Sequence, residues 1–319
     1  MKRFSLTTSI LRGLVLVALL VTAACGGPED GSAHNDVVGA THRFADVGPT
    51  RWHFLEGGSG EAVVFLHGMP ETSFAWRRQF NWLAAEYRVI AVDLEGFGDT
   101  RTEAEDFSVA AMAERLLEFL DAIEVDEFHL VGHDWGALIG ARAASSSSAA
   151  GRVLSYTHVS APLRRYDLTR NPDYRDFHHD PGSVPDLLRN PEIFVSRSYE
   201  IGVVGGPETV STELLERYSR GLSNTAALDA IAAYFSQLDV EADWTFGPLS
   251  APRWERIQAP VLFVVGGRDL MLPLEEYHDI ESAVPTLDRL VVLDGTGHYP
   301  HEENPGEFGA LLQEFLRSR

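Results

Sequence analysis

Short apolar runs alternate with amphipathic stretches along most of this chain, and that alternation constrains the fold more than any other feature. Ala62–Leu66, Arg88–Val92, 128–131 and Val153–Val159 have strand length and are rich in Val, Ile and Phe. Between the second and third of them, Val109, Met112, Leu116, Leu120 and Ile123 recur at three- and four-residue spacing, which draws one apolar helix face. Strand alternating with helix predicts an α/β fold with a mostly parallel sheet flanked by helices. Residues 41–46 and 51–55 predict an opening hairpin, and a helix is expected around 73–85. The alternation stops at Leu163 and resumes with a strand at 261–265. A helix over 273–283, a strand at 290–293 and a last helix over 305–316 follow. The interval 163–256 has helical pattern broken at Pro172, Pro181, Pro185, Pro191 and Pro207. It reads as a helical cap, or lid, inserted after the sixth strand, between core segments 41–162 and 257–319. Parallel sheets bind ligands beyond the carboxyl ends of their strands, so a cap over that edge would enclose a site.

With 319 residues, 45% of them hydrophobic, the chain can bury one large catalytic core. Its formal charge of −21 gives it no basic face for nucleic acid. Lys2, Arg3 and Arg12 precede an apolar run too short to span a bilayer, so 1–24 reads as a signal peptide. The run ends in Leu20-Val21-Thr22-Ala23-Ala24-Cys25, similar to a bacterial lipoprotein cleavage box with Thr22 in place of the usual larger aliphatic. Cys25 is the only cysteine, and it is expected to take a lipid, which would hold the protein at the cell envelope. The alternative is an ordinary signal cleavage site that lies near it, and a periplasmic or secreted product. Residues 25–40 read as a flexible tether. A lone cysteine gives no disulfide, and oligomeric state is not legible.

The chemistry gathers at the expected strand ends. Gly132-His133-Asp134-Trp135-Gly136 sits on a strand-to-helix transition, where two glycines let the chain turn sharply and hold the central side chain up. The usual occupant of such an elbow is serine; here it is aspartate. His67-Gly68-Met69-Pro70 follows an earlier strand, and the Met69 and Trp135 amides are placed to face an oxyanion. His67, Pro70 and Trp135 are expected around the substrate pocket. Asp269 closes a late strand in Gly266-Gly267-Arg268-Asp269, and His298 follows the last one in Gly295-Thr296-Gly297-His298. Nucleophile, acid and histidine thus fall in α/β-hydrolase order. His133, His158 and His301 read as structural. Glu302 and Glu303 read as a solvated loop, and His178-His179 as solvated rather than metal-binding, so neither a metal nor a cofactor is expected.

The ordered segments HGMP, DLEGFGDT, GHDWG, GGRD and GTGH resemble the α/β-hydrolase superfamily over 41–317. The elbow aspartate narrows the likeness to the branch of epoxide hydrolases and haloalkane or haloacetate dehalogenases. Residues 173–182 are similar to the first lid segment of soluble epoxide hydrolases, which implies that Tyr174 is a ring-opening acid. Residues 227–234 are similar to the helix carrying the second such tyrosine, which implies the same of Tyr234. The substrate implied is a small hydrophobic epoxide, with water as co-reactant.

A carboxylate suits displacement at saturated carbon because it is already anionic at neutral pH. His298, held by Asp269, would activate water against the resulting ester. An epoxide oxygen leaves as a basic alkoxide and needs a proton, whereas a halide needs only weak N–H donors. Met69 stands where many dehalogenases have asparagine, and Trp244 and Trp254 lie near the lid's end, so dehalogenation ranks second. A lipid-anchored binding protein without chemistry is a third reading, which the complete set of Asp134, Asp269 and His298 disfavours. A serine esterase is further off because no serine occupies the elbow.

Overall fold

Strands buried on both faces read as unbroken apolar runs, and two of them form the centre of this molecule. All five side chains of β3 (Ala62–Leu66) and all six residues of β6 (Phe128–His133) are buried. Each large side chain so buried contributes about 1.5–3 kcal/mol. The computed structural model describes residues 37–163, 190–206, 209–223, 225–236 and 254–319. The predicted signal peptide, Cys25, Tyr174 and His178-His179 therefore lie outside the described residues.

Among the described residues the strands form one nine-stranded sheet. The other strands are β1 (Thr41–Val47), β2 (Thr50–Gly58), β4 (Arg88–Val92), β5 (Arg101–Thr102), β7 (Val153–Val159), β8 (Val261–Gly266) and β9 (Leu287–Leu293). Their order is β1-β2-β4-β3-β6-β7-β8-β9, with β5 paired to β2. The hairpin β1–β2 and the β2–β4 contact are antiparallel, and every pairing from β4 to β9 is parallel. Leu66 is in register with Gly132, and Gly132 with His158, so β3, β6 and β7 end level at one edge.

The helices are α1 (Arg77–Leu83), α2 (Val109–Ala122), α3 (Trp135–Ala144), α4 (Pro191–Gly202), α5 (Thr212–Gly221), α6 (Thr225–Ser236), α7 (Ile280–Ala283), α8 (Pro300–Glu303) and α9 (Pro305–Arg317). Helix α2 starts where the Ser108 hydroxyl accepts the Ala111 N–H at 3.3 Å, and it buries the stripe of Met112, Leu116 and Leu120. Helices α4 to α6 belong to the predicted cap. They follow β7, the sixth strand when the two-residue β5 is set aside.

Three boundaries differ from the sequence expectation. Val37, counted in the tether, is only 4% exposed and packs into the core. The expected helix over 73–85 is a 3-10 turn, Ser73–Trp76, followed by α1, because the Thr72 hydroxyl caps the Phe74 N–H. The helix expected over 273–283 is a 3-10 turn, Leu274–Tyr277, followed by the one-turn α7.

Candidate active site

The turn after β6 is possible only with glycine on either side of Asp134. A Cβ at Gly132 would collide with the Gly136 carbonyl, and one at Gly136 with the carbonyls of Leu66 and His67. Asp134 itself takes φ 49°, a strained value for a non-glycine residue, and its N–H is held by the Val159 carbonyl at 3.1 Å. The carboxylate is thereby lifted beyond the sheet edge, with a fifth of the side chain accessible.

Two groups meet that carboxylate. The Met69 N–H donates to Oδ1 at 2.9 Å, from a loop whose Met69–Pro70 bond is cis. The His298 Nε2 stands 3.5 Å from Oδ2. His298 Nδ1 in turn donates to Asp269 Oδ2 at 2.9 Å. Asp269 is fixed by the Met271 and Leu272 N–H groups, which donate to its Oδ1 at 2.8 and 3.0 Å. With Nδ1 turned to Asp269, Nε2 is the nitrogen aimed at Asp134. The backbone of His298 is gripped from both sides. Its N–H donates to the Gly202 carbonyl of α4 at 2.6 Å, and its carbonyl accepts from His133 Nε2 at 2.9 Å.

Burial pushes the Asp134 carboxyl up, but the imidazoles of His298 and His133 and the Met69 amide outweigh it and hold the group below the usual carboxylate range. Burial pulls His298 down, yet the Asp269 and Asp134 carboxylates raise it to about 10. At neutral pH the Asp134 carboxylate therefore faces an imidazolium.

The remaining expected residues fall as follows. Trp135 opens α3, and its ring meets Tyr234 edge-on with centroids 5.1 Å apart. Tyr234, on α6, is fully buried, and its hydroxyl donates to the Glu95 carbonyl at 3.0 Å. His67 is buried with both nitrogens on backbone: Nδ1 donates to the Gly68 carbonyl at 2.7 Å, and Nε2 accepts the Leu94 N–H at 3.0 Å. It shapes the loop rather than offering a polar group to a ligand. Pro70 is buried beside it.

Glu302 and Glu303 are not a solvated loop. The Glu302 side chain is 5% exposed and takes Arg77 bidentately at 2.5 and 2.7 Å, Arg78 at 3.1 Å, and the Tyr218 hydroxyl of cap helix α5 at 2.9 Å. Glu303 accepts the N–H groups of Gly297 and Tyr299 on either side of His298, and that of Val204 just past α4. The chain folds back after His298, so these carboxylates close the loop and tie Tyr218 of α5 and Val204 to it. Sequence reading also passed over Glu71, which is fully buried between His133 and His301. The available signal was an acid set directly after the apolar HGMP turn.

The pattern that defines the alpha/beta hydrolase family matches residues 63–311. The chain belongs to the α/β-hydrolase family. Among relatives of this α/β hydrolase, the rat protein named bifunctional epoxide hydrolase 2 is 27% identical over 89% of this chain and 56% of its own length. The chain thus spans about half of that relative. Epoxide hydrolase 2 of Siraitia grosvenorii is 28% identical over 86% of this chain and 98% of its own length. Among solved structures, a bacterial membrane phospholipase A described as a virulence factor superposes with a TM-score of 0.72. It shares 25% identity and covers 88% of this chain and 87% of its own.

Proposed function

We propose that this α/β hydrolase opens epoxides to vicinal diols through a covalent ester on Asp134. The observation that carries the reading is an aspartate, not a serine, in the elbow, with its carboxylate between the Met69 amide and His298 Nε2. The two relatives named epoxide hydrolase support it. An Asp134 oxygen attacks an epoxide carbon, the ring C–O bond breaks, and the departing oxygen takes a proton from Tyr174 or Tyr234. For Tyr234 this means exchanging the Glu95 carbonyl for the epoxide oxygen. Burial raises the Tyr234 phenol well above its ordinary range, which keeps the proton in place until an alkoxide calls for it. With Asp134 esterified, His298 gives up its proton, which returns to the tyrosinate; the neutral imidazole then takes a proton from water, and the hydroxide attacks the ester carbonyl of Asp134. The tetrahedral oxyanion meets the Met69 and Trp135 amides. Collapse expels the diol oxygen, which takes the proton from His298, and the Asp134 carboxylic acid then passes its proton to His298 and is a carboxylate again.

Dehalogenation on the same Asp134–His298–Asp269 set is the second reading. Trp254 counts against it, because its indole N–H is spent on the Leu163 carbonyl at 3.2 Å and is not offered to a halide. The phospholipase likeness supports the fold.

Single turnover of styrene oxide in ¹⁸O-water tests the reading. The diol should carry an oxygen of ordinary mass from Asp134, and the Asp134 peptide should gain one ¹⁸O. Label found directly in the diol with none in Asp134 would mean that water attacks the epoxide and no ester forms.

A further inference from the structure

Beneath the Asp134–His298 pair lies a second, wholly buried polar cluster that the reaction just described leaves unused. Glu71, His133 and His301 are each 0% exposed. Glu71 Oε2 is 2.9 Å from His133 Nδ1, and Oε1 is 2.9 Å from His301 Nε2. The carboxylate also faces the Gly68 N–H at 3.4 Å and the Tyr199 hydroxyl of α4 at 3.5 Å. Glu71 therefore touches the loop that carries the Met69 amide, the end of β6 just before Asp134, helix α8 beyond His298, and helix α4. His301 Nδ1 has no hydrogen-bond partner, and the ring stacks on Trp76 with centroids 4.6 Å apart.

Proton counting makes the cluster specific. His133 lies between two acceptors, Glu71 Oε2 and the His298 carbonyl, each at 2.9 Å. Its Nε2 must carry hydrogen to donate to that carbonyl. A second proton must lie on the line between Nδ1 and Oε2, since two bare lone pairs would otherwise face each other at hydrogen-bond distance in a dry interior. The chain of contacts runs from Glu71 through that proton to His133, and from His133 to the backbone of His298.

We propose that Glu71 is the positioning residue of the ester-hydrolysis step: through His133 it fixes the His298 backbone and so aims the imidazole at Asp134. This rests on the two-step reading of the site. Alkylation draws on Asp134 and the phenols, and hydrolysis draws on His298. A base displaced by a fraction of an ångström loses rate in the second step alone.

The cluster also presents a carboxylate and two imidazoles with ligand atoms within 4.8 Å of one another, a set that could hold zinc. The hydrogen-bond lengths favour the proton, and the experiment separates the two. ¹⁵N-histidine NMR of the wild-type protein should show a slowly exchanging ring N–H on His133 Nε2, the nitrogen that faces the His298 carbonyl. In Glu71→Gln the amide oxygen takes the His301 N–H and the amide NH₂ donates to His133 Nδ1, so the link survives with the His133 N–H on Nε2. Stopped-flow with styrene oxide should then show Glu71→Leu alkylating within about twofold of wild type but hydrolysing its ester about tenfold or more slowly. Glu71→Gln should restore most of that loss. A wild-type His133 whose ring N–H lies on Nδ1 alone, leaving Nε2 bare toward the His298 carbonyl, would overturn the proposal. So would one equivalent of zinc bound by the wild type and lost in Glu71→Gln, or a Glu71→Leu protein that slows both steps equally. If wild type gives no ester with any epoxide, the epoxide reading fails, and the NMR assignment of the His133 proton still decides the His133–His298 link.

Discussion

Asp134 and His298 hold each other's charge, so chemistry at one resets the other. His298 stands at about 10 because two carboxylates flank it. In the proposed mechanism Asp134 becomes a neutral ester, so one of the two is gone and the imidazole releases its proton more readily, at the moment a base is needed. This predicts a clean separation in His298→Gln. The variant should still be alkylated, because Asp134 stays anionic, and should then stop. One equivalent of styrene oxide is consumed in a burst, and mass spectrometry shows the adduct on Asp134. Continued turnover would mean that another group activates water. Tyr234→Phe probes the first step instead. Loss of one phenolic donor should slow ring opening about a hundredfold, on the scale of a single lost oxyanion donor. The same change should leave halide release from a haloalkane untouched. An unchanged rate of epoxide opening would return Tyr234 to its observed role as a donor to the Glu95 carbonyl.

Helix α4 reaches the loop that carries His298. Its last residue, Gly202, accepts the His298 N–H, and a Cβ there would strike the Tyr299 ring and come within 3.3 Å of His298 Cβ. Helix propensity alone favours Ala over Gly by about 1 kcal/mol. Overpacking a buried contact costs about 1–3 kcal/mol, so the clash wins. Gly202→Ala should therefore lower stability in urea by about 1 kcal/mol and cut kcat by tenfold or more while KM stays close to wild type. A stabilised variant with full kcat would show that α4 does not register His298. None of this was legible in the sequence, where Gly202 is one glycine among 28 in a stretch read only as helical cap. The alternation of strand and helix was legible because strand burial writes itself as runs such as Ala-Val-Val-Phe-Leu. The elbow was legible because two close backbone approaches admit only glycine. The roles of Glu71, Glu302 and Glu303 depend on loops meeting across more than 200 residues for the Arg77–Glu302 and Glu71–His301 contacts, and local spacing carries no trace of that.

At the scale of the whole molecule, the buried titratable groups set opposing limits on stability. His298 is raised from the ordinary 6.5 to about 10, so its contribution is complete below pH 6.5 and is lost as pH rises toward 10. His158 goes the other way. Burial among Tyr156, Trp254 and Phe263 lowers it from 6.5 to about 3, so its contribution is complete above 6.5 and is lost as pH falls toward 3. His67 is lowered by burial in the same sense, and Asp93 is held below the carboxylate range despite burial, largely by His53, which extends the acid limb. On the alkaline side the formal charge of −21 grows further and adds self-repulsion. Unfolding free energy from urea titrations should therefore peak near pH 6.5 and fall on both sides. Each group contributes a slope of at most about 1.4 kcal/mol per pH unit within its own window. His158→Gln keeps an amide to meet the Ala161 carbonyl, which His158 Nε2 now meets at 3.0 Å, but cannot take up the proton. The variant should flatten the acid limb between pH 6.5 and about 3 by up to that slope and leave the alkaline limb unchanged. An acid limb as steep as wild type would leave the loss to His67 and the carboxylates and remove His158 from the account.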